Sequence, residues 1–200
     1  MISIKNAMSF LVILSMVLCV SVCFGEESKS ESSSNPIVVI ETSKGNITVE
    51  LFKDKAPKSV ENFLEYVKAG YYNGTIFHRV IKNFMIQGGG MTQDLKPKSG
   101  LRAPIVNEAT NGLKNEVGTI AMARTPEVNS ATSQFFINTK HMASLDHRGE
   151  TADKFGYAVF GKVIDGMNAV YKIENTATGS KGGMSDVPTE TITITSVHLK

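Results

Sequence analysis

From residue 37 to residue 52, apolar and polar residues alternate in two runs, IVVIET and NITVELF, parted at residues 43–46 by a short turn containing Gly45. A period of two is that of a strand, so the pattern predicts a hairpin with Ile47, Val49 and Leu51 on a buried face and Thr48 and Glu50 on a wet one. The period then lengthens. In APKSVENFLEYVKAG, Val60, Phe63, Leu64 and Val67 recur at helical spacing, Pro57 suits a first turn, and Gly70 suits the stop. Short strand patterns follow at TIFHRV, FMIQ, GTIAMA, SQFFIN, YAVFGKV and TITITSVHL, punctuated by Gly, Asn and Asp. GMNAVYKIENT reads as a second, shorter helix. Many short strands with two helices predict a mainly antiparallel sheet, which barrel and sandwich architectures accommodate equally well.

The first residues follow neither period. Lys5 precedes an uncharged apolar stretch, residues 7–24, and composition turns abruptly to EESKSESSSNP after Gly25. This is the pattern of a secretory signal peptide over residues 1–25, with Cys23 and Gly25 at the small-residue positions of a cleavage site. An uncleaved membrane anchor is the alternative, because the apolar run approaches the roughly 20 residues of a spanning helix. Lipid attachment through Cys19 or Cys23 is disfavoured by bulky Leu18 and Val22 just before them. Residues 26–36 carry too little apolar surface to offset the entropy of ordering, and are expected to form a flexible Ser/Glu-rich tether. The folded domain is expected over residues 37–200.

Both cysteines lie in the leader, so the remaining chain can enter an oxidising compartment without disulfides. The formal charge of +2, from 21 Lys and Arg against 19 Asp and Glu, falls to +1 once Lys5 goes with the leader. No basic footprint for nucleic acid stands out. His78, His141, His147 and His198 are scattered without the spacing of a metal site. The run Gly88, Gly89, Gly90 lacks the Lys and Ser or Thr of a phosphate loop and suits close backbone packing instead. Ser130, Ser133 and His141 sit in no nucleophile elbow, which argues against a hydrolase.

The block FHRVIKNFMIQGGG, residues 77–90, gathers a guanidinium, an amide, two aromatics and a thioether. It resembles the signature segment of the cyclophilins, and the likeness continues in order through GTIAMAR, NSATSQFFINT, SLDH and FGYAVFGKVIDGM. The resemblance implies a closed eight-stranded antiparallel β-barrel capped by two α-helices, with a groove on its outer face. It also implies a peptidyl-prolyl cis/trans isomerase, which makes and breaks no bond and uses no cofactor and no metal. By the same resemblance Arg79 is the catalytic donor, aimed at the prolyl nitrogen. Phe84, Met85, Phe136 and Leu145 form the proline pocket, and Gln87 binds substrate backbone. Ala123, Arg124 and Gln134 form the rim that holds the preceding residue, and Tyr157 stands at the pocket edge where His is common. Phe77, Val80, Phe135 and Phe160 are assigned to the core.

Ser144 departs from the family pattern, which has Trp or Phe there, so the groove is expected to lack one wall and to hold cyclosporin-type ligands weakly. The partners implied are proline-containing polypeptides, unfolded or exported, met by a monomer that touches neither nucleic acid nor any membrane beyond the leader. The segments FGYAVFGKV and AMART resemble Gram-negative periplasmic members, with a tethered protein facing the periplasm as the alternative. A non-catalytic proline-binding or holdase-like module is the competing functional reading.

Overall fold

The computed structural model describes residues 35–200; the expected leader, and all of the expected tether except Asn35 and Pro36, lie outside them. The opening hairpin consists of β1 (Ile37–Thr42) and β2 (Gly45–Leu51). It is followed by α1 (Pro57–Lys68), β3 (Phe77–Ile81), β4 (Met85–Gly88), β5 (Thr119–Met122) and β6 (Phe135–Asn138). The chain continues through β7 (Val159–Asp165), α2 (Met167–Glu174), β8 (Thr178–Lys181), β9 (Met184–Pro188) and β10 (Ile194–Leu199). Eight strands form one curled antiparallel sheet in the order β10-β1-β2-β7-β5-β6-β4-β3, while β8 and β9 pair only with each other.

Alternation sets the inside of this sheet. Val38, Ile40, Ile47, Val49 and Leu51 point inward with Ile86, Ile120, Phe135, Ile137 and Phe160, and all belong to one buried cluster. Both helices bury a face in the same cluster, α1 through Val60, Phe63, Tyr66 and Val67, and α2 through Ala169, Val170 and Ile173. Phe63 is the centre of an aromatic set, its ring 5.0 Å from Tyr72, 5.7 Å from Phe135 and 5.3 Å from Phe160. Leu64, expected on the same helical face, is only partly buried, because Ser59 and Asn62 turn inward with the apolar stripe.

A closed barrel overstates the architecture. Among the described residues no ladder joins β10 to β3, the two edges of the sheet. They meet where the chain enters β3 and β10, through a single bridge between Ile76 and Thr193. Around it Gly74 N–H donates to Ile194 O and Ile194 N–H to Thr75 O, both at 2.8 Å, and Phe77 N–H donates to Ile192 O at 3.0 Å. Beyond this seam the edges splay, leaving the outer side of β3 to the β8–β9 hairpin.

The first turn of α1 carries no local side-chain cap; the residue before it is Ala56. Its first-turn donors are instead met from 50 residues away, where Glu108 accepts from Lys58 N–H at 3.0 Å and from Ser59 N–H and Oγ at 2.7 Å each. The carboxylate satisfies the orphan N–H groups and complements the positive end of the helix. Glu108→Ala should therefore lower stability by about 1–2 kcal/mol, with Glu108→Gln losing less because an amide oxygen still accepts. Urea unfolding midpoints compared among the three proteins check this.

Candidate active site

One rung of the sheet organises the site. Cross-strand pairing joins Arg79 to Gln87, Gln87 to Phe136, Phe136 to Ala121 and Ala121 to Val159, so five neighbouring strands present one row of side chains. Adjacent strands lie about 4.8 Å apart, which brings successive members of the row into contact. The row faces away from the main core. Met85, Ala121, Phe136 and Val159 form a second, outer apolar cluster, against which Phe84, Ala123, Leu145 and Tyr157 pack.

Arg79 reaches this face through an irregularity. Phe77 and Arg79 would share a side of an ideal strand, yet Phe77 is buried in the main core and Arg79 stands outside it. The register between β3 and β4 shifts between Phe77 and Arg79, and this bulge at His78 turns the guanidinium outward. His78 is left buried behind it. Burial first, and then the Arg79 charge, hold its imidazole below the usual histidine value, so at neutral pH it adds no second cation beside Arg79.

A cavity of about 220 Å³ opens on the row, lined by Arg79, Phe84, Met85, Gln87, Ala123, Arg124, Phe136, Leu145 and Tyr157. The structure thus gathers at one opening all but one of the ten residues singled out from the sequence. The tenth, Gln134, lines an adjoining cavity of about 150 Å³ with Gln87, Thr125, Ser130 and Thr132, and its Oε1 accepts from Gln87 Nε2 at 2.9 Å. Met85 and Phe136 are nearly buried and make the floor. Phe84 comes from the β3–β4 turn, where Asn83 N–H donates to the Glu174 carboxylate on α2 at 2.8 Å.

The far wall is built from loops held by polar ties. Arg124 spends its guanidinium on backbone: Nε donates to Gly156 O at 3.0 Å, Nη1 to Thr125 O and Pro126 O, and Nη2 to Ala152 O at 2.8 Å. It also lies over the Tyr157 ring at 4.8 Å, and that ring meets Phe136 edge-on at 5.6 Å. Arg124 is accordingly a brace for the rim, with four of its five N–H donors committed to backbone carbonyls. Leu145 is set by Asn115, whose Nδ2 donates to Leu145 O at 3.0 Å and whose N–H donates to Asp146 Oδ1 at 2.7 Å.

Two features of the site are not legible in the sequence. Asp186 on β9 places Oδ2 3.7 Å from Arg79 Nε; it lies in TGSKGGMSDVP, which has no apolar period to mark its strands. Gly90 faces Gln134 so closely that an added Cβ would come within 2.8 Å of the Gln134 Cδ. The glycine run suggests tight packing without indicating which side chain needs the room.

Residues 37–199 match the family model described as cyclophilin type peptidyl-prolyl cis-trans isomerase/CLD. The chain is 54% identical over 162 residues to the peptidyl-prolyl cis-trans isomerase cyp18 of Streptomyces antibioticus, covering 81% of this chain and 97% of that one. It is 52% identical over 163 residues to peptidyl-prolyl cis-trans isomerase B of Escherichia coli, covering 82% and 99% respectively. Among solved structures it is similar to a cyclophilin type peptidyl-prolyl cis-trans isomerase of Cryptosporidium parvum. There the TM-score is 0.67 at 30% identity, over 83% of this chain and 98% of that one. A structure of the same description, determined in the presence of the dipeptide Ala-Pro, gives a TM-score of 0.66 at 31% identity, over 82% and 98%.

The packing at Gly90 makes a specific expectation. Gly90→Ala is compatible with the backbone but should push Gln134 off Gln87, weakening a proline-containing peptide's binding by about two- to tenfold, the worth of one neutral hydrogen bond. Peptide titration followed by NMR, with the Gln87 and Gln134 side-chain amide signals as the local probe, reads both effects.

Proposed function

Because the chain belongs to the cyclophilin-type peptidyl-prolyl cis/trans isomerases, and is an enzyme of that class, we propose that Arg79 supplies the catalytic donor and that the 220 Å³ cavity seats the substrate's proline ring. The observation that carries this reading is the rung itself: a guanidinium and an amide stand next to an apolar floor across three adjacent strands.

The barrier to be lowered is amide resonance, about 18–20 kcal/mol. At the twisted geometry the prolyl nitrogen regains its lone pair, so a donor aimed at that nitrogen is bonded more strongly in the transition state than in either planar isomer. Arg79 remains charged at any relevant pH and offers planar, directed donors. Phe84, Met85, Phe136 and Leu145 hold the ring by apolar contact, which does not resist rotation of the segment before it. Gln87, steadied by Gln134, bonds the substrate backbone on one side of the twisting bond. Ala123 and the braced Arg124 bound the rim for the residue before proline. Tyr157 presents an aromatic face against Phe136 and a polar tip at the pocket edge. Each 1.36 kcal/mol of selective stabilisation is about tenfold in rate.

We further propose that the chain is exported through its N-terminal segment and acts on unfolded or exported proteins in a Gram-negative periplasm. Lys5 followed by an uncharged apolar stretch, and the lack of cysteine after residue 25, support this reading. X-Pro bonds of unfolded chains populate cis at about 10–30%, so such chains offer abundant substrate.

Ser144 is exposed on the 3₁₀ turn Ala143–Leu145, whose last residue lines the cavity. A cyclosporin-type ligand should bind Ser144→Trp about tenfold more tightly than the unaltered protein, roughly 1.4 kcal/mol of added contact. Calorimetric titration of both proteins checks it, and equal affinity would count against the missing-wall reading. Arg79→Ala should lower kcat/KM about 10²–10³-fold, comparable to deleting one oxyanion-hole donor, with the fold intact. Exchange NMR on a short X-Pro peptide measures the rate. Binding without acceleration by the unaltered protein would instead identify a proline-binding module.

A further inference from the structure

We propose that Asp186, carried on the β8–β9 hairpin, is a positioning residue that aims the Arg79 guanidinium at the substrate. The inference rests on the reading of Arg79 as the catalytic donor and adds how a long, half-exposed side chain is kept aimed.

Arg79 stands on β3, an edge of the sheet, so no further ladder strand supports its outer side. β9 packs along that edge. The hairpin has little apolar content of its own: β8 is exposed throughout, and Val187 and Pro188 are the buried residues of β9. What it does deliver is a carboxylate. Asp186 adopts φ 61°, a left-handed conformation uncommon outside glycine, and from there its Oδ2 lies 3.7 Å from Arg79 Nε. Across the same guanidinium, Nη1 lies 3.5 Å from Gln87 Oε1. The group is therefore bracketed along one edge and at one amino group, while Nη2 has no hydrogen-bond partner among the described residues.

This bracket matters because a hydrogen bond weakens steeply when its donor is misaimed. The nitrogen lone pair that appears during rotation is directional, and a side chain that wanders among rotamers meets it only part of the time. Behind Arg79 lies an open cavity of about 300 Å³ bordered by His78, Met184, Ser185 and Asp186, so packing alone does not hold the guanidinium from that side. The pair is solvated, with side-chain exposures of 43% for Arg79 and 40% for Asp186, and its strength should depend on salt. Ground-state affinity comes mainly from the apolar floor, which Asp186 does not touch. The expected signature is a loss in kcat with KM little changed.

Asp186→Asn tests this in the full chain, because Asn tolerates the left-handed backbone and keeps the shape while removing the charge. With an X-Pro peptide, kcat should fall about three- to tenfold, KM should stay within about twofold, and the melting temperature should hold. Raising salt should lower the unaltered protein's kcat toward that of the variant, whose own kcat should be flat. The Arg79 Nε–Hε NMR signal, assigned by its disappearance in Arg79→Lys, should shift in Asp186→Asn. In the Arg79→Lys background the same change should have no further effect on kcat. If Arg79→Ala collapses activity while Asp186→Asn keeps full kcat, the positioning role is overturned and the Arg79 reading stands. If Arg79→Ala keeps full activity, both fall together. An equal fractional loss of kcat from Asp186→Asn in the unaltered protein and in the Arg79→Lys background would also overturn the proposal.

Discussion

Phe135 and Phe136 are neighbours in sequence and point to opposite sides of one strand, and the register of that strand governs the molecule. With β6 paired so that Ile137 lies opposite Ile86 and Ile120, Phe135 enters the main core and Phe136 floors the outer cavity. A slip of one residue would exchange them, sending the outer row inward and the core residues to the surface. Core and site are thus two faces of a single pairing, and neither could be rearranged without the other. Burial enforces that pairing, since Phe135 and Ile137 are fully buried and belong to the same cluster as Phe63 and Phe160.

Regular alternation cannot by itself make a site, because it would leave Arg79 on the side of Phe77. The bulge at His78 supplies the missing half-turn. Around this rung the rest of the wall is irregular backbone, and it is held by polar groups acting on backbone atoms. Arg124 ties the segments at residues 125–126, 152 and 156; Asn115 and Asp146 tie the turn that bears Leu145; Glu174 ties the turn that bears Phe84. Side chains that look from the sequence like rim contacts for substrate can therefore owe part of their place to the need of loop carbonyls and amides for partners. Arg124 is the plainest case, with four of its five donors committed to the protein.

The parts of the fold that are legible in the sequence share a physical cause. β1, β2 and β10 announce themselves by a period of two, α1 by a period near 3.6, and both periods exist because one side of each element is buried. The site residues are legible in a different way: Arg79, Phe84, Met85, Gln87 and Phe136 lie in two short segments that resemble a known family, and those segments become neighbouring strands. The β8–β9 hairpin escapes notice because it buries too little to impose any pattern, and its turn rests on Gly182 and Gly183 with positive φ. The cap on α1 escapes notice because Glu108 lies far along the chain from the donors it serves.

What the chain's order of residues made legible was therefore most of the elements, the family and the candidate site residues, since each is written in local spacing or in contiguous segments. Three matters waited for the folded chain. The two edges of the sheet touch at one bridge, Ile76 to Thr193, with no ladder between them among the described residues. Arg79 is turned outward by a bulge, and it meets Asp186, a residue more than 100 positions away. All three depend on how strands curl and where their edges come to lie, and a distance between residues remote in sequence leaves no periodic trace in either segment.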